Sequence, residues 1–138
     1  MFKKARFSDQ AGQAMVELAL ITPLIILLIL AIIDFGRIYS AQLVLSHAVR
    51  SGARAATVLD TSSLTPEDVI KEIRKVVNDD AQFITINSDD IDITNLPWPA
   101  GGNVTVDATY EVVLTAPIVE QVFGGSYEIE SSVTMRRE

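Results

Sequence analysis

The chain has 138 residues, with 18 acidic and 11 basic side chains for a formal charge of −7, and it contains no cysteine. Its acidic balance excludes a surface built to neutralise nucleic-acid phosphates, and without cysteine no disulfide can staple the fold. The length leaves room for one small domain beyond an anchor.

From the N-terminus, Lys3, Lys4 and Arg6 form a short basic leader, and Gly12 to Arg37 then reads GQAMVELALITPLIILLILAIIDFGR. Between Leu18 and Ile33 there is no charge and no polar stripe at helical spacing, only Thr22 and Pro23. With Ala14 to Val16 as flanks, the run approaches the ~20 residues a helix needs to cross a ~30 Å hydrocarbon layer. Cations lie before it and acids dominate after it, which predicts an N-terminus inside and a C-terminal domain outside. A conventional signal peptide has a shorter apolar run and an A-x-A-like site after it, so this anchor is expected to stay on the protein. Pro23 removes one helical hydrogen bond and predicts a kink, with Thr22 able to satisfy the freed carbonyl. Asp34 and Arg37, three residues apart, form an expected pair at the outer interface, and Phe35 and Tyr39 are placed as aromatic anchors there.

The helical pattern continues outside the membrane. Ile38, Ala41, Leu45, Ala48, Gly52, Ala55 and Leu59 recur at spacings of three and four, so anchor and extension form one rod to about Leu59. Ala48, Gly52 and Ala56 make a groove of small residues that lets another element approach closely, either the chain's own sheet or a second subunit. Arg37, Ser40, His47, Ser51 and Arg54 lie on the opposite face, solvated or facing an oligomer. His47 is the single histidine and has no cysteine or second histidine to join it in a metal site.

Asp60 to Ser63 is a polar break, after which Thr65 caps a second helix with Pro66 at its first position and Glu67 and Asp68 favouring its dipole. Its apolar face is Val69, Ile70, Ile73, Val76 and Val77. From Phe83 the period becomes two. Phe83–Ile86 reads as a short strand or buried connection, and Ile91–Thr94 alternates. Val104 to Leu114 and Tyr127 to Met135 alternate over longer runs, giving three strands with one apolar and one polar face. A loop carries Trp98 between Pro97 and Asn103, and Pro117 to Phe123 suggests a helical turn before Gly124-Gly125. Asp79, Asp80, Asp89, Asp90 and Asp92 lack the glycine and distal glutamate of an EF-hand, so they read as solvated loop acids, with no metal or cofactor expected.

The basic leader, Gly12, Glu17 and the apolar helix together resemble a class III, prepilin-type signal. Closed by Asp34-Phe35-Gly36-Arg37 and continued by Ala48-Val49-Arg50-Ser51-Gly52-Ala53-Arg54-Ala55-Ala56, the stretch resembles the TadE-like minor pilins or pseudopilins of tight-adherence (Flp) pilus systems. Met135-Arg136-Arg137-Glu138 is similar to the family's usual terminus, whereas Leu59 to Val122 carries nothing diagnostic.

The resemblance implies processing between Gly12 and Gln13 by a prepilin peptidase. It also implies an assembly role for Glu17 toward other pilin, TadE-like or TadF-like subunits. Glu17 could instead simply sit at headgroup depth near the positive end of the helix. The expected architecture is a pilin-like α+β fold, a long transmembrane helix continuing outside to pack on about three antiparallel strands and a short amphipathic helix. Its expected divisions are a leader (1–12), an anchor (13–37), a helical extension (38–59) and a small extracytoplasmic domain (60–138). The expected function is non-enzymatic: a subunit in the inner membrane that assembles or initiates a pilus. The alternative is an uncleaved single-pass protein whose outer domain binds a ligand or partner. No catalytic constellation is present in the sequence.

Overall fold

A computed structural model describes residues 7–59, 64–95, 102–117, 121 and 124–136. Lys3, Lys4 and Arg6, the break from Asp60 to Ser63, the Trp98 segment from Pro97 to Gly101, most of the turn expected after Pro117, and Arg137 and Glu138 lie outside the described residues.

Helix α1 runs unbroken from Phe7 to Val58, 52 residues. It therefore starts six residues ahead of Gln13, so Gly12 and Gln13 lie inside one continuous helix. It also passes through Pro23 without a break. The Thr22 hydroxyl donates to the Leu18 carbonyl at 2.6 Å, its own residue four back, and not to the Ala19 carbonyl that Pro23 frees.

Helix α2, Pro66–Asp80, is held at its start by a reciprocal capping box. The Asp68 amide donates to Thr65 Oγ1 at 3.3 Å, and Asp68 Oδ2 accepts from the Thr65 hydroxyl at 2.6 Å and from its amide at 3.2 Å. Val69, Ile73 and Val77 turn inward. Phe83–Ile86 is an irregular connection with no strand; it buries Ile86 but leaves Phe83 85% exposed. A 3-10 turn over Ser88–Asp90 leads into the sheet.

Strands β1 (Ile91–Thr94), β2 (Asn103–Val113) and β3 (Ser126–Arg136) form an antiparallel sheet in the order β1-β2-β3. The register pairs Ile91 with Ala108 and Tyr110 with Ile129. Period-two alternation puts Val104, Val106, Ala108, Val112 and Ile129 on the buried face and Glu111, Glu128 and Glu130 on the exposed one. Gly124 and Gly125, at φ +82° and +91°, make the left-handed turn that returns the chain into β3.

One layer of helix covers the apolar face. Leu45, Ala48, Val49, Ala53 and Ala56 of α1 are fully buried against the sheet and α2, and Arg74 of α2 donates to the Ile91 carbonyl at 3.0 and 3.3 Å. Each buried Leu, Ile or Val side chain is worth about 1.5–3 kcal/mol, against about 1 kcal/mol for a cap, so α1 is the centre of the core. The outer part of α1, α2 and the sheet are one packed unit.

The tightest approach is at Gly52. A Cβ there would overlap Val77 Cγ2 and would stand 3.6 Å from Ile73 Cγ2 and 3.8 Å from Val106 Cγ1. Gly52→Ala gains about 1 kcal/mol of helix propensity but overpacks a fully buried contact at about 1–3 kcal/mol, so overlap wins. We expect a lower Tm for the detergent-solubilised Gly52→Ala chain and recovery of most of it in Gly52→Ala/Val77→Ala; an unchanged Tm in the single variant would refute the close contact. The cap supplies a pH dependence. The Thr65 hydroxyl and amide, helped by Lys71, hold the Asp68 carboxyl below its ordinary value. Its contribution is therefore complete above the unfolded carboxylate range near ~3.9 and lost as pH falls through the lowered folded value. Asp68→Asn should flatten that acid limb of the unfolding curve.

Candidate functional site

In the N-terminal half of α1 the apolar side chains from Met15 to Ile33 are exposed or half-buried, with Leu20 75% and Ile32 62% accessible. By length and composition this helix can cross a membrane, and its most apolar window is wholly uncovered by the rest of the protein. An uncovered apolar helix needs lipid or other apolar helices around it. Gly12, Gln13 and Glu17 are all exposed at its beginning, and a Cβ on Gly12 would meet nothing within 4 Å. Gln13 and Glu17 are one helical turn apart and so share a face.

At the outer end of the apolar run the exposure changes abruptly: Ile33 is 50% exposed and Asp34 only 1%. Asp34 Oδ2 accepts the Thr115 amide at 2.9 Å and the Ala116 amide at 2.7 Å, both from the segment that follows β2. Its Oδ1 is buried with no hydrogen bond among the described residues, and Arg37 Nη1 stands 3.6 Å away. Arg37 donates from the same nitrogen to Thr115 Oγ1 at 2.8 Å. Arg37 stands beside the carboxylate, but the groups that hydrogen-bond to it are some eighty residues distant. A carboxylate accepting two backbone amides makes the strong, charge-assisted kind of hydrogen bond, and burial makes each partner costly to remove. Phe35 and Tyr39 are 70% and 60% exposed beside it.

Ala48, Gly52 and Ala56 are buried, and Val77, Ile73 and Val106 of the same chain close over Gly52. The small-residue groove is therefore filled from within. Gln42 Nε2 donates to the Glu130 carbonyl at 3.2 Å, which ties α1 to β3 as well. Among the described residues no three His, Asp or Glu side chains converge as a metal site would require.

Residues 12–54 match the family model of TadE-like proteins. This stretch is TadE-like. No curated protein and no solved structure gives a match to the chain. The TadE-like segment begins at Gly12 and ends at Arg54, so it contains Gln13, Glu17, the Asp34–Arg37 joint, Ala48 and Gly52, and it stops short of Ala56, α2 and every strand. The matched residues are fewer than half of the chain, and they coincide with the part of α1 that is long and apolar enough to cross a membrane.

Thr115 and Ala116 were not singled out by the sequence, because two backbone amides leave no trace in residue type. The available signal was Asp34 itself, a carboxylate against an apolar run that needs more than one exposed cation to justify its place. We expect Asp34→Ala to leave two buried amides unpaired and to cost about 1–3 kcal/mol. Hydrogen exchange of the reconstituted chain should show lost protection at Thr115 and Ala116, with Arg37→Ala much milder. Equal protection in Asp34→Ala and the parent would refute the role given to the carboxylate.

Proposed function

We propose that this chain is a non-enzymatic, pilin-type subunit of a tight-adherence (Flp) pilus system, stored in the inner membrane and processed by a prepilin peptidase between Gly12 and Gln13. The observation that carries the reading is the coincidence of the TadE-like match, Gly12 to Arg54, with an uncovered apolar helix that continues straight into the core of an outer domain. Lys3, Lys4 and Arg6 before the apolar run favour an inside N-terminus, with the sheet outside.

The scissile bond lies within α1, so cleavage requires the first turns to unwind. Gly12 lowers that cost by about 1 kcal/mol relative to alanine and presents no side chain to the peptidase cleft. After cleavage the new amino group begins the helix, with Glu17 one turn further on. A carboxylate at that depth is costly alone, at least ~2.5 kcal/mol for a charge deep in a bilayer, and much less so beside a cation. A neighbouring subunit's amino terminus supplies such a cation, which gives Glu17 an assembly role.

Amino-terminal mass measurement with and without a prepilin peptidase tests the reading. The mature chain should begin at Gln13, free or cyclised, and a bulky residue at Gly12 should leave the precursor uncut. Glu17→Ala should insert and be cleaved but fail to co-purify with partner subunits or to support piliation. An uncut wild-type chain whose outer domain is removed by protease from spheroplasts would instead favour a single-pass protein with a partner-binding domain.

A further inference from the structure

The outward face of α1 beyond the apolar run is basic and the outward face of the sheet is mainly acidic, with Arg136 at one end, while α2 carries both signs. On the exposed face of the sheet Asp92 stands directly opposite Asp107, and Glu111 directly opposite Glu128. Like charges in facing cross-strand positions destabilise a sheet, and two such pairs stand here with no basic side chain in ion-pair distance among the described residues. On the opposite side of the domain, Arg50 and Arg54 are exposed one turn apart on the face of α1 that points away from the core, and no acid occurs in the sequence between Gly36 and Leu59. Neither arginine has an ion pair among the described residues.

These two faces also lie at the same height above the membrane. Asp34 touches Thr115 at one end, and Gly52 faces Val106 at the other. Eighteen residues of α1 at about 1.5 Å and nine of β2 at about 3.3 Å both cover about 27–30 Å, so β2 runs back along α1 toward the membrane. Asp107, with Asp92 beside it, is therefore level with the turn of α1 that holds Arg50 and Arg54.

We propose that a second copy of this chain packs head-to-tail on the first, its Arg50–Arg54 ridge lying on the partner's acidic sheet face at Asp92 and Asp107. The proposal rests on the subunit reading above and names the partner. Membrane anchoring supports it, because copies anchored in one bilayer hold their α1 helices parallel. A two-fold axis along the membrane normal would bring like face to like face, acid on acid or arginine on arginine. Only the heterologous arrangement matches opposite charges, and such a contact repeats from copy to copy.

The chain has no cysteine, so an engineered pair reports cleanly. His47→Cys on the ridge and Thr109→Cys on the sheet lie on opposite sides of one domain and at similar heights, so they can react only between copies. In the full chain reconstituted in lipid vesicles, thiol crosslinking should give a ladder of multimers that fades in about 0.5 M salt, where the Debye length is below about 5 Å. Arg50→Glu/Arg54→Glu should reduce the ladder about ten-fold as attraction becomes repulsion, and adding Asp92→Lys/Asp107→Lys to that chain should restore it.

Because charge reversal could harm folding, Asp92→Asn/Asp107→Asn provides a second arm. Removing the facing acids should leave Tm equal or higher while still weakening the ladder, an outcome that a merely structural role would not give. A ladder that is absent from the parent chain, or that persists unchanged in the Asn variant or the Arg-reversed variant, overturns the contact. Failure of leader cleavage or of Glu17 dependence with the charge-sensitive ladder intact would sink the subunit reading and spare the contact; loss of the ladder with normal cleavage and piliation would do the reverse.

Discussion

The carboxylate of Asp34 is the hinge-pin of the structure, because it sits where one helix passes from one solvent to another. Below it α1 presents apolar side chains on all sides; above it one face of the same helix is the middle of a protein core. A continuous helix alone would leave the sheet free to rotate or lift away near the membrane. Two short bonds from Asp34 to the Thr115 and Ala116 amides, with Arg37 bridging to the Thr115 hydroxyl, fasten the membrane-proximal end of β2 to the exit of the anchor. The outward faces of the domain are thereby fixed in rotation relative to the faces of the anchor.

Above that joint, packing is set by small side chains on α1 and branched ones around it. Gly52 lets Ile73, Val77 and Val106 approach the backbone of α1 closely, and Ala41, Ala48, Ala53 and Ala56 are buried in the same core. Residues 60–138 could not bury a comparable core without α1, since a domain under about 80 residues rarely sustains one with neither disulfide nor metal. The anchor is thus also a folding element. Loss of the rod would expose the apolar face of the sheet as well as detach it.

Much of this could be read from the residues because it rests on local rules. The single rod to Val58, the Thr65 cap with Pro66 behind it, the inward face of α2 and the alternation in β2 and β3 all follow from spacing and cap chemistry. Three features were not legible for one common reason, that they depend on contacts distant in sequence. Asp34 was read with Arg37, its neighbour by helical spacing, when its short bonds go to residues beyond β2. Phe83–Ile86 has strand-like composition, yet among the described residues β2 pairs with β1 and β3, and the segment remains irregular. The groove at Ala48, Gly52 and Ala56 allowed an internal or an external occupant, and only the path of α2 decides it.

The charges that remain exposed fall into two electrical regimes along the same rod. Glu17 lies at the start of the apolar run, where a surrounding bilayer would leave little water or salt to screen it; the acids of the sheet and Arg50 and Arg54 are exposed, where ions within about 10 Å would screen them at ordinary salt. Opposite charge between neighbours would contribute strength at the first and register at the second. The two requirements are geometrically compatible. On the proposed processing, pairing Glu17 of one subunit with an amino terminus at Gln13 of the next would displace the neighbours axially by four helical residues, about 6 Å. Arg50 and Arg54 are separated by the same four residues, so this displacement brings one arginine to the level of Asp92 and Asp107 as it takes the other away. A one-turn slip in the membrane therefore leaves the outer contact supplied with a cation, which a single arginine on that face could not do.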